Sequence, residues 1–243
     1  MNPVLTVENL SVEFVKNKKP FLAVNNVSFE IGEGEIVGLC GESGCGKSTL
    51  SRAILGIQKK GVTGQIKHYY KRPQMVFQDP VGSLNPAKTI EFILEEPITV
   101  KGNFSKEERK RRVRDMLKMV DLDEELLTRY PNELSGGQRQ RICIAAALMQ
   151  QPHFLIADEP VSALDVTVQS QILDLLRKLH KELNLSILFI SHDLRVVYNL
   201  CDRVMIMKTG EIVEQGNLQD VYFNPQNEYT KELMDAARTK YLK

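Results

Sequence analysis

The chain has 243 residues, 42% hydrophobic and 26% charged, which is the composition of a folded globular protein and excludes general disorder. Its 32 Lys and Arg nearly balance 31 Asp and Glu, giving a formal net charge of +1. An extended nucleic-acid surface usually makes a domain distinctly basic, so we expect no nucleic-acid partner. No apolar run reaches the roughly 18 residues that predict a membrane span, and no signal peptide pattern opens the chain. We therefore expect a soluble, cytoplasmic protein.

The N-terminal part of the chain predicts β-structure followed by one helix. An apolar run over 4–12 and partial alternation over 22–31 predict half-buried antiparallel strands. A short apolar strand over 35–40 comes next, and a helical pattern covers 47 to about 57. Residues 75–78 predict another short strand.

Residues 88–150 are predicted to be mainly helical. Ser105 and Glu108 fit a capping box at a helix start, with Ser105 as N-cap. The basic run 109–112 that follows is expected to be a solvated helix face. A further helix is predicted from about Gly137 to Met149.

After Pro152, strands and helices alternate again, which predicts an α/β fold with a mostly parallel sheet. The predicted elements are strands over 153–157 and 186–190, a helix over 165–183, a β-hairpin over 204–213, and a helical tail over 218–243 with one break at Pro225.

Four cysteines stand far apart in the sequence, at Cys40, Cys45, Cys143 and Cys201. No CxxC pair occurs, and no Cys/His cluster has the spacing of a zinc site. We predict buried free thiols.

A glycine-rich segment carries the first chemical motif, Gly41-Glu-Ser-Gly-Cys-Gly46-Lys47-Ser48, which fits the phosphate-binding P-loop pattern G-x-x-x-x-G-K-[ST]. Glycines let the backbone curl so that successive N–H groups form an anion cradle at a helix N-terminus. In such a loop Lys47 reaches the β- and γ-phosphates and the Ser48 hydroxyl faces Mg²⁺. The dinucleotide pattern G-x-G-x-x-G does not occur here.

Two carboxylates follow the predicted strand Phe154–Ala157. Asp158 stands where P-loop proteins need a magnesium partner, and Glu159 is placed to take a proton from an attacking water. An Asp-Glu pair after a strand often only begins a loop. The P-loop upstream favours the functional interpretation.

The segment Leu134-Ser-Gly-Gly-Gln138 predicts a second helix start that exposes backbone N–H groups, with Ser135 as N-cap. By itself it could be a plain helix start. Together with the P-loop and the pair Asp158–Glu159, it resembles the signature of the nucleotide-binding subunits of ATP-binding cassette (ABC) transporters, and the resemblance covers nearly the whole chain.

The family resemblance implies a single ABC ATPase domain over 1–243. Its P-loop NTPase (RecA-like) core, with an antiparallel β subdomain, is expected over 1–87 and 151–216. An inserted α-helical subdomain that carries the signature is expected over 88–150, and a C-terminal helical tail over 217–243.

The resemblance also implies roles for five further positions. Gln78 matches the glutamine that contacts Mg²⁺ and water, and His192 matches the histidine that contacts the γ-phosphate. Asp165 lies in the segment that touches the opposite subunit. Phe14 matches the aromatic residue that stacks on adenine, with Phe21 as the rival position.

Carried over to this sequence, the family pattern gives three groups of site residues. The expected catalytic residues are Lys47, Gln78, Glu159 and His192. The expected Mg²⁺ ligands are Ser48, Gln78 and Asp158. The expected ATP contacts are Phe14, Gly41, Glu42, Ser43, Gly44, Cys45, Gly46, Lys47, Ser48 and Thr49 of one chain and Ser135, Gly136, Gly137, Gln138 and Asp165 of a second chain.

Longer stretches look like the oligopeptide/dipeptide/nickel importer group, among them 76–86, 158–169 and 224–230. The segment 61–74 is shorter than the usual β-subdomain hairpin, and Ala146 stands where the group commonly has Arg. The chain also stops soon after Thr230, without the cysteine-containing extension of many peptide importers. That brevity favours uptake of nickel or a metal chelate, with oligopeptides or dipeptides as the alternative.

The partners implied are a second ABC ATPase, either a paralogue or the same chain, two transmembrane permease subunits, and an extracytoplasmic solute-binding protein. The expected location is peripheral, at the cytoplasmic face of the cell membrane. The competing class is a soluble ABC ATPase in DNA repair or translation, which usually has two cassettes or long coiled-coil inserts. A P-loop kinase would not explain residues 134–138.

Overall fold

The computed structural model describes residues 2–16, 18–71, 73–100, 102 and 104–239. In chain order its strands and helices are β1 (Pro3–Lys16), β2 (Lys19–Gly32), β3 (Ile36–Cys40), α1 (Lys47–Ile54), β4 (Val62–His68), β5 (Gln74–Val76), α2 (Pro80–Ser83), α3 (Ile90–Thr99), α4 (Lys106–Met119), 3₁₀ turns at Glu124–Thr128 and Pro131–Glu133, α5 (Gly136–Leu148), β6 (Phe154–Asp158), α6 (Val166–Leu183), β7 (Ser186–Ser191), α7 (Leu194–Leu200), β8 (Arg203–Lys208), β9 (Glu211–Asn217), α8 (Leu218–Phe223) and α9 (Glu228–Thr239).

The central sheet has six strands in the order β5-β6-β7-β3-β8-β9. All neighbours are parallel except β8 and β9, which form the predicted hairpin. Every residue of β3, β6 and β7 is buried. Burial on both faces explains why these strands read as continuous apolar runs. The parallel order places the carboxyl ends of β3, β6 and β7 side by side.

A second sheet has the order β2-β1-β4 and is antiparallel, as the N-terminal patterns predict. Its buried face joins one hydrophobic cluster with β3 and α1, in which Val12 and Val24 accompany Leu39 and Leu50. Within residues 61–74, Val62–His68 form β4 of this sheet, and Gln74 begins β5 of the central sheet. Through this cluster, the antiparallel sheet packs against β3 and against α1, the helix that follows β3.

Helices α3, α4 and α5 lie between β5 and β6, and their apolar faces join the second hydrophobic cluster together with the central sheet and α6. The Ser105 hydroxyl caps α4 by accepting from the Glu108 amide at 3.2 Å. The Glu108 carboxylate, however, bonds Arg111 and Arg112, so the predicted capping box is only half formed. The basic face is also not wholly solvated, because Arg109 bonds Glu95 of α3 at 2.6 Å.

Two predicted helical segments have different bounds in the structure. Helix α1 ends at Ile54, short of the expected residue 57, because Gly56 has φ +69° and the amide of Ile57 bonds the carbonyl of Arg52. That is a Schellman termination. The tail forms α8 and α9 with a break around Pro225, and its residues 240–243 lie outside the described part of the chain.

The four cysteines are free and buried, as predicted. Burial raises the pKa of the Cys143 thiol to about 12, and it raises the pKa of Cys40 and Cys201 as well. Among the described residues, no helix combines the length and the apolar character that a bilayer-spanning helix needs.

Candidate ATP-hydrolysis site

The P-loop connects β3 to α1 and has the backbone shape that its glycines allow. Gly46 has φ +113°, and a Cβ built there would lie 2.2 Å from the carbonyl oxygen of Ala23. A Cβ at Gly41 would lie 2.1 Å from the carbonyl oxygen of Met207. Any side chain at either position would collide with neighbouring backbone. The loop is thus held closely against β2 and β8.

Lys47 is buried at the start of α1, with only 5% of its surface exposed. Its Nζ donates to the carbonyl oxygens of Gly41 at 2.8 Å and Glu42 at 2.9 Å. The ammonium therefore lies inside the curve of the P-loop, where a lysine can neutralise phosphate charge.

Asp158 ends β6 with 5% of its surface exposed. Burial raises the pKa of this carboxyl, and the hydrogen bond from Ser48 opposes that rise. Its Oδ1 is buried and has no hydrogen-bond partner among the described residues. A buried, unpartnered carboxylate oxygen beside a serine hydroxyl matches the hard oxygen donors that Mg²⁺ prefers. The residues present therefore fit the expected ion.

Glu159 receives two side chains on one oxygen. Its Oε2 lies 3.2 Å from Nε2 of Gln78 and 3.1 Å from Nδ1 of His192. Gln78 follows β5 and His192 follows β7, so both come from strands that flank β6. Glu159 has φ +48°, an uncommon conformation for a residue with a side chain, and its amide bonds the carbonyl of Ile190. The backbone thus fixes the direction of this carboxylate.

A cleft of about 1140 Å³ joins the P-loop residues 41–49 with Gln78, Glu159 and His192. Phe14 and Phe21 line the same cleft, and their rings stack with centroids 5.8 Å apart. They are paired residues of β1 and β2. The geometry therefore brings both candidate aromatic residues to the cleft and does not separate them.

The residues expected to contact ATP held by a second chain do not line this cleft. Ser135 caps α5, and its reciprocal bonds with Gln138 form a complete capping box. Asp165 caps α6 by accepting from the Val168 amide at 3.0 Å. A Cβ at Gly137 would lie 2.7 Å from a methyl of Val168, so the starts of α5 and α6 are in close contact.

Comparisons with known proteins identify the family. The sequence profile described as ABC transporter matches residues 24–162. The chain belongs to the ABC transporter family. The oligopeptide transport ATP-binding protein AmiF of Streptococcus pneumoniae serotype 4 is 44% identical over 96% of this chain and 81% of its own. The dipeptide transport ATP-binding protein DppF of Lactococcus lactis subsp. cremoris is 43% identical over 96% and 80%.

A solved structure supports the fold of this ABC ATPase. It is the dimeric ATP-binding cassette MJ0796, in a post-hydrolysis state bound to ADP and Pi. It is 32% identical, covers 88% of this chain and 98% of its own, and superimposes with a TM-score of 0.78. The fold is accordingly that of an ABC nucleotide-binding cassette, and the chain is an ATP-binding ATPase subunit of an ABC importer.

The sequence did not predict that the C-terminal part of this ABC ATPase lines the cleft. Tyr229, Glu232, Leu233 and Ala236 of α9 contribute to it. The segment 224–230 stood out only as a subfamily pattern. Residues 193–195 and the hairpin turn at 209–210 also line the cleft. In the sequence, residues 193–195 are notable only for following His192, and residues 209–210 only for lying in a predicted turn.

Proposed function

We propose that this chain hydrolyses ATP with Mg²⁺ at sites shared between two cassettes and that hydrolysis drives the import of oligopeptides or dipeptides. The observation that carries the chemistry is the convergence of Gln78 and His192 on Oε2 of Glu159 beside the P-loop. A carboxylate fixed in this way can orient a water molecule and take its proton.

The proposed roles divide charge stabilisation from proton transfer. Lys47 and the P-loop amides bind phosphate oxygens, and His192 stabilises the charge that develops on the γ-phosphate. Ser48, Gln78 and Asp158 would hold Mg²⁺, which supplies charge neutralisation at the β- and γ-phosphates. Phe14 or Phe21 would stack on adenine.

We further propose the domain arrangement that the family implies: a core over 1–87 and 151–216, a helical subdomain over 88–150, and a tail over 217–243. In a head-to-tail dimer, residues 135–138 and Asp165 of one chain would meet the ATP held by the other. The helix start at Ser135 would then offer exposed amide groups to an anion.

The proposed partners are a second ABC ATPase, two permease subunits and a solute-binding protein, with the chain peripheral at the cytoplasmic face of the membrane. Co-purification from gentle detergent with membrane subunits would support this assignment. Purification without any membrane subunit would favour the alternative class of soluble ABC ATPases that act in DNA repair or translation.

Peptides are preferred to nickel because AmiF and DppF, named for oligopeptide and dipeptide transport, are 43–44% identical to nearly the whole chain. This reverses the order expected from the short C-terminus. Substrates bind the permease and the solute-binding protein, so the length of the ATPase is a weak guide to what is carried.

The substrate can be tested with the reconstituted transporter and its solute-binding protein. We expect di- or oligopeptides to stimulate ATP hydrolysis, whereas nickel chelates at the same concentrations do not. A solute-binding protein already known to bind only maltose serves as the negative control. Stimulation by nickel chelates alone would overturn the peptide assignment and leave the ATPase assignment in place.

A further inference from the structure

Tyr229 of α9 lies against the P-loop, 187 positions away in sequence from the residue it contacts. Its hydroxyl accepts a hydrogen bond from the backbone amide of Glu42 at 3.3 Å. The tyrosine is buried, with 7% of its surface exposed. Buried tyrosines usually find a partner for the hydroxyl, and here that partner is the backbone of the phosphate-binding loop.

Glu42 is also a partner of the P-loop lysine. Its amide N–H is held by Tyr229, and its carbonyl oxygen accepts from Nζ of Lys47 at 2.9 Å. The two bonds lie on the backbone of one residue, so a shift of the Glu42 amide would also move an oxygen that positions the Lys47 ammonium. Tyr229 is thereby linked to Lys47 without touching it.

The position of Tyr229 is itself fixed from the central sheet. The Glu214 carboxylate on β9 accepts from the amides of Gln226 at 2.8 Å and Asn227 at 3.1 Å. The Asn227 side chain then accepts from the amide of Tyr229 at 2.9 Å. On the ring face, Lys208 at the end of β8 places its Nζ 4.4 Å from the ring centroid. The ring therefore has little freedom to leave the loop.

We propose that Tyr229 is a positioning residue for ATP binding: through the backbone of Glu42 it holds Lys47 where the β- and γ-phosphates bind. This inference rests on the proposed ATP site. It gives the segment 224–230 a function, because the Glu214 and Asn227 bonds serve to bring the Tyr229 hydroxyl to the P-loop.

The test is the substitution Tyr229→Phe in the assembled transporter. It removes the hydroxyl and keeps an aromatic ring beneath the Lys208 ammonium. One neutral hydrogen bond corresponds to about a three- to tenfold effect, so we expect KM for ATP to rise by that factor while kcat stays within about twofold. A purely structural defect would lower the active fraction. It would then reduce kcat and leave KM unchanged.

Tyr70→Phe is the matched control, because the Tyr70 hydroxyl donates to Glu33 at 3.0 Å, away from the cleft. We expect its KM for ATP to equal that of the wild type. A KM in Tyr229→Phe within about twofold of the Tyr70→Phe value would overturn the proposal, whatever the kcat.

Lys47→Ala separates this inference from the function on which it rests. Loss of hydrolysis in Lys47→Ala with an unchanged KM in Tyr229→Phe would reject the role of Tyr229 alone. Hydrolysis at the wild-type rate in Lys47→Ala would reject the proposed ATP site itself.

Discussion

Nδ1 of His192 lies 3.1 Å from Oε2 of Glu159, the carboxylate that directly follows β6. The same oxygen accepts a hydrogen bond from Nε2 of Gln78 at 3.2 Å. Side chains that follow two different strands, β5 and β7, therefore meet on one oxygen of the proposed base.

Replacing Glu159 by Gln should stop hydrolysis and preserve ATP binding. The amide cannot take a proton from water, so we expect the steady-state rate to fall by about 100-fold or more. Bound ATP should then accumulate and stabilise a dimer, which light scattering with Mg²⁺ and ATP would detect. The control is Glu107→Gln on the exposed face of α4, which should behave as wild type. Undiminished hydrolysis in Glu159→Gln would contradict the role of Glu159.

Replacing Asp158 by Asn should affect stability and ion dependence in opposite directions. Burial raises the folded-state pKa of this carboxyl above its unfolded value, so the folded chain loses stability as pH rises through that pKa. Removing the charge should therefore increase the free energy of unfolding of the nucleotide-free protein at neutral pH, and the difference should shrink in acid.

The same Asp158→Asn variant should lose most of the extra stabilisation that Mg²⁺ adds to bound ATP. Wild-type protein at a ligand concentration 100 times Kd should gain about 2.7 kcal/mol, which urea unfolding can measure. A variant that is less stable than wild type without nucleotide, or equally stabilised by Mg²⁺ with ATP, would be inconsistent with an unpartnered carboxylate poised for the ion.

Alanine substitutions at two P-loop glycines should differ sharply. Gly44 has φ +83°, and a Cβ there would meet nothing within 4 Å, so Gly44→Ala should cost only the backbone strain, about 1 kcal/mol. Gly46→Ala adds a collision with the carbonyl of Ala23 and should cost at least about 3 kcal/mol. Urea unfolding of the nucleotide-free variants measures both. An equal loss of unfolding free energy in the two variants would show that β2 shifts to accommodate the added methyl group.

The thiol of Cys143 should be nearly inert in the folded protein. With its pKa raised to about 12, its thiolate fraction at pH 7.5 is roughly three orders of magnitude below that of an ordinary thiol. Iodoacetamide should therefore label Cys143 only after denaturation, as mass spectrometry of the peptides would show. Rapid labelling of the native protein would mean that the helix packing around α5 opens readily.

The elements best predicted from sequence are those whose signal is local. Strands β3, β6 and β7 are continuous apolar runs because both faces are buried, and the P-loop is contiguous in sequence. The half-formed capping box at Ser105 was not predictable. The Glu108 carboxylate can bond either the backbone amide of Ser105 or the guanidinium groups of Arg111 and Arg112, and it bonds the arginines. That choice depends on side-chain geometry and not on residue order.

Contacts between distant segments account for what the sequence could not predict about the site. Nothing in residues 224–230 indicates that Tyr229 meets Glu42, because that contact depends on how β8, β9 and α9 pack together. The same holds for Phe14 and Phe21, which become equivalent candidates only when the register of β1 and β2 pairs them. The left-handed backbone of Glu159 likewise follows from its bond to Ile190 on the neighbouring strand.

The contact between Gly137 and Val168 brings together the two helix starts that are expected to meet a second chain. Because Gly137 has no side chain, a methyl of Val168 packs directly on the backbone of α5, and a side chain at 137 would push the first turns of α5 and α6 apart. Ser135 and Asp165 cap those two helix starts, so the residue at 137 also sets the distance between the two caps. In the proposed dimer, the absence of a side chain at 137 would thus determine the spacing with which both residues meet the partner's nucleotide.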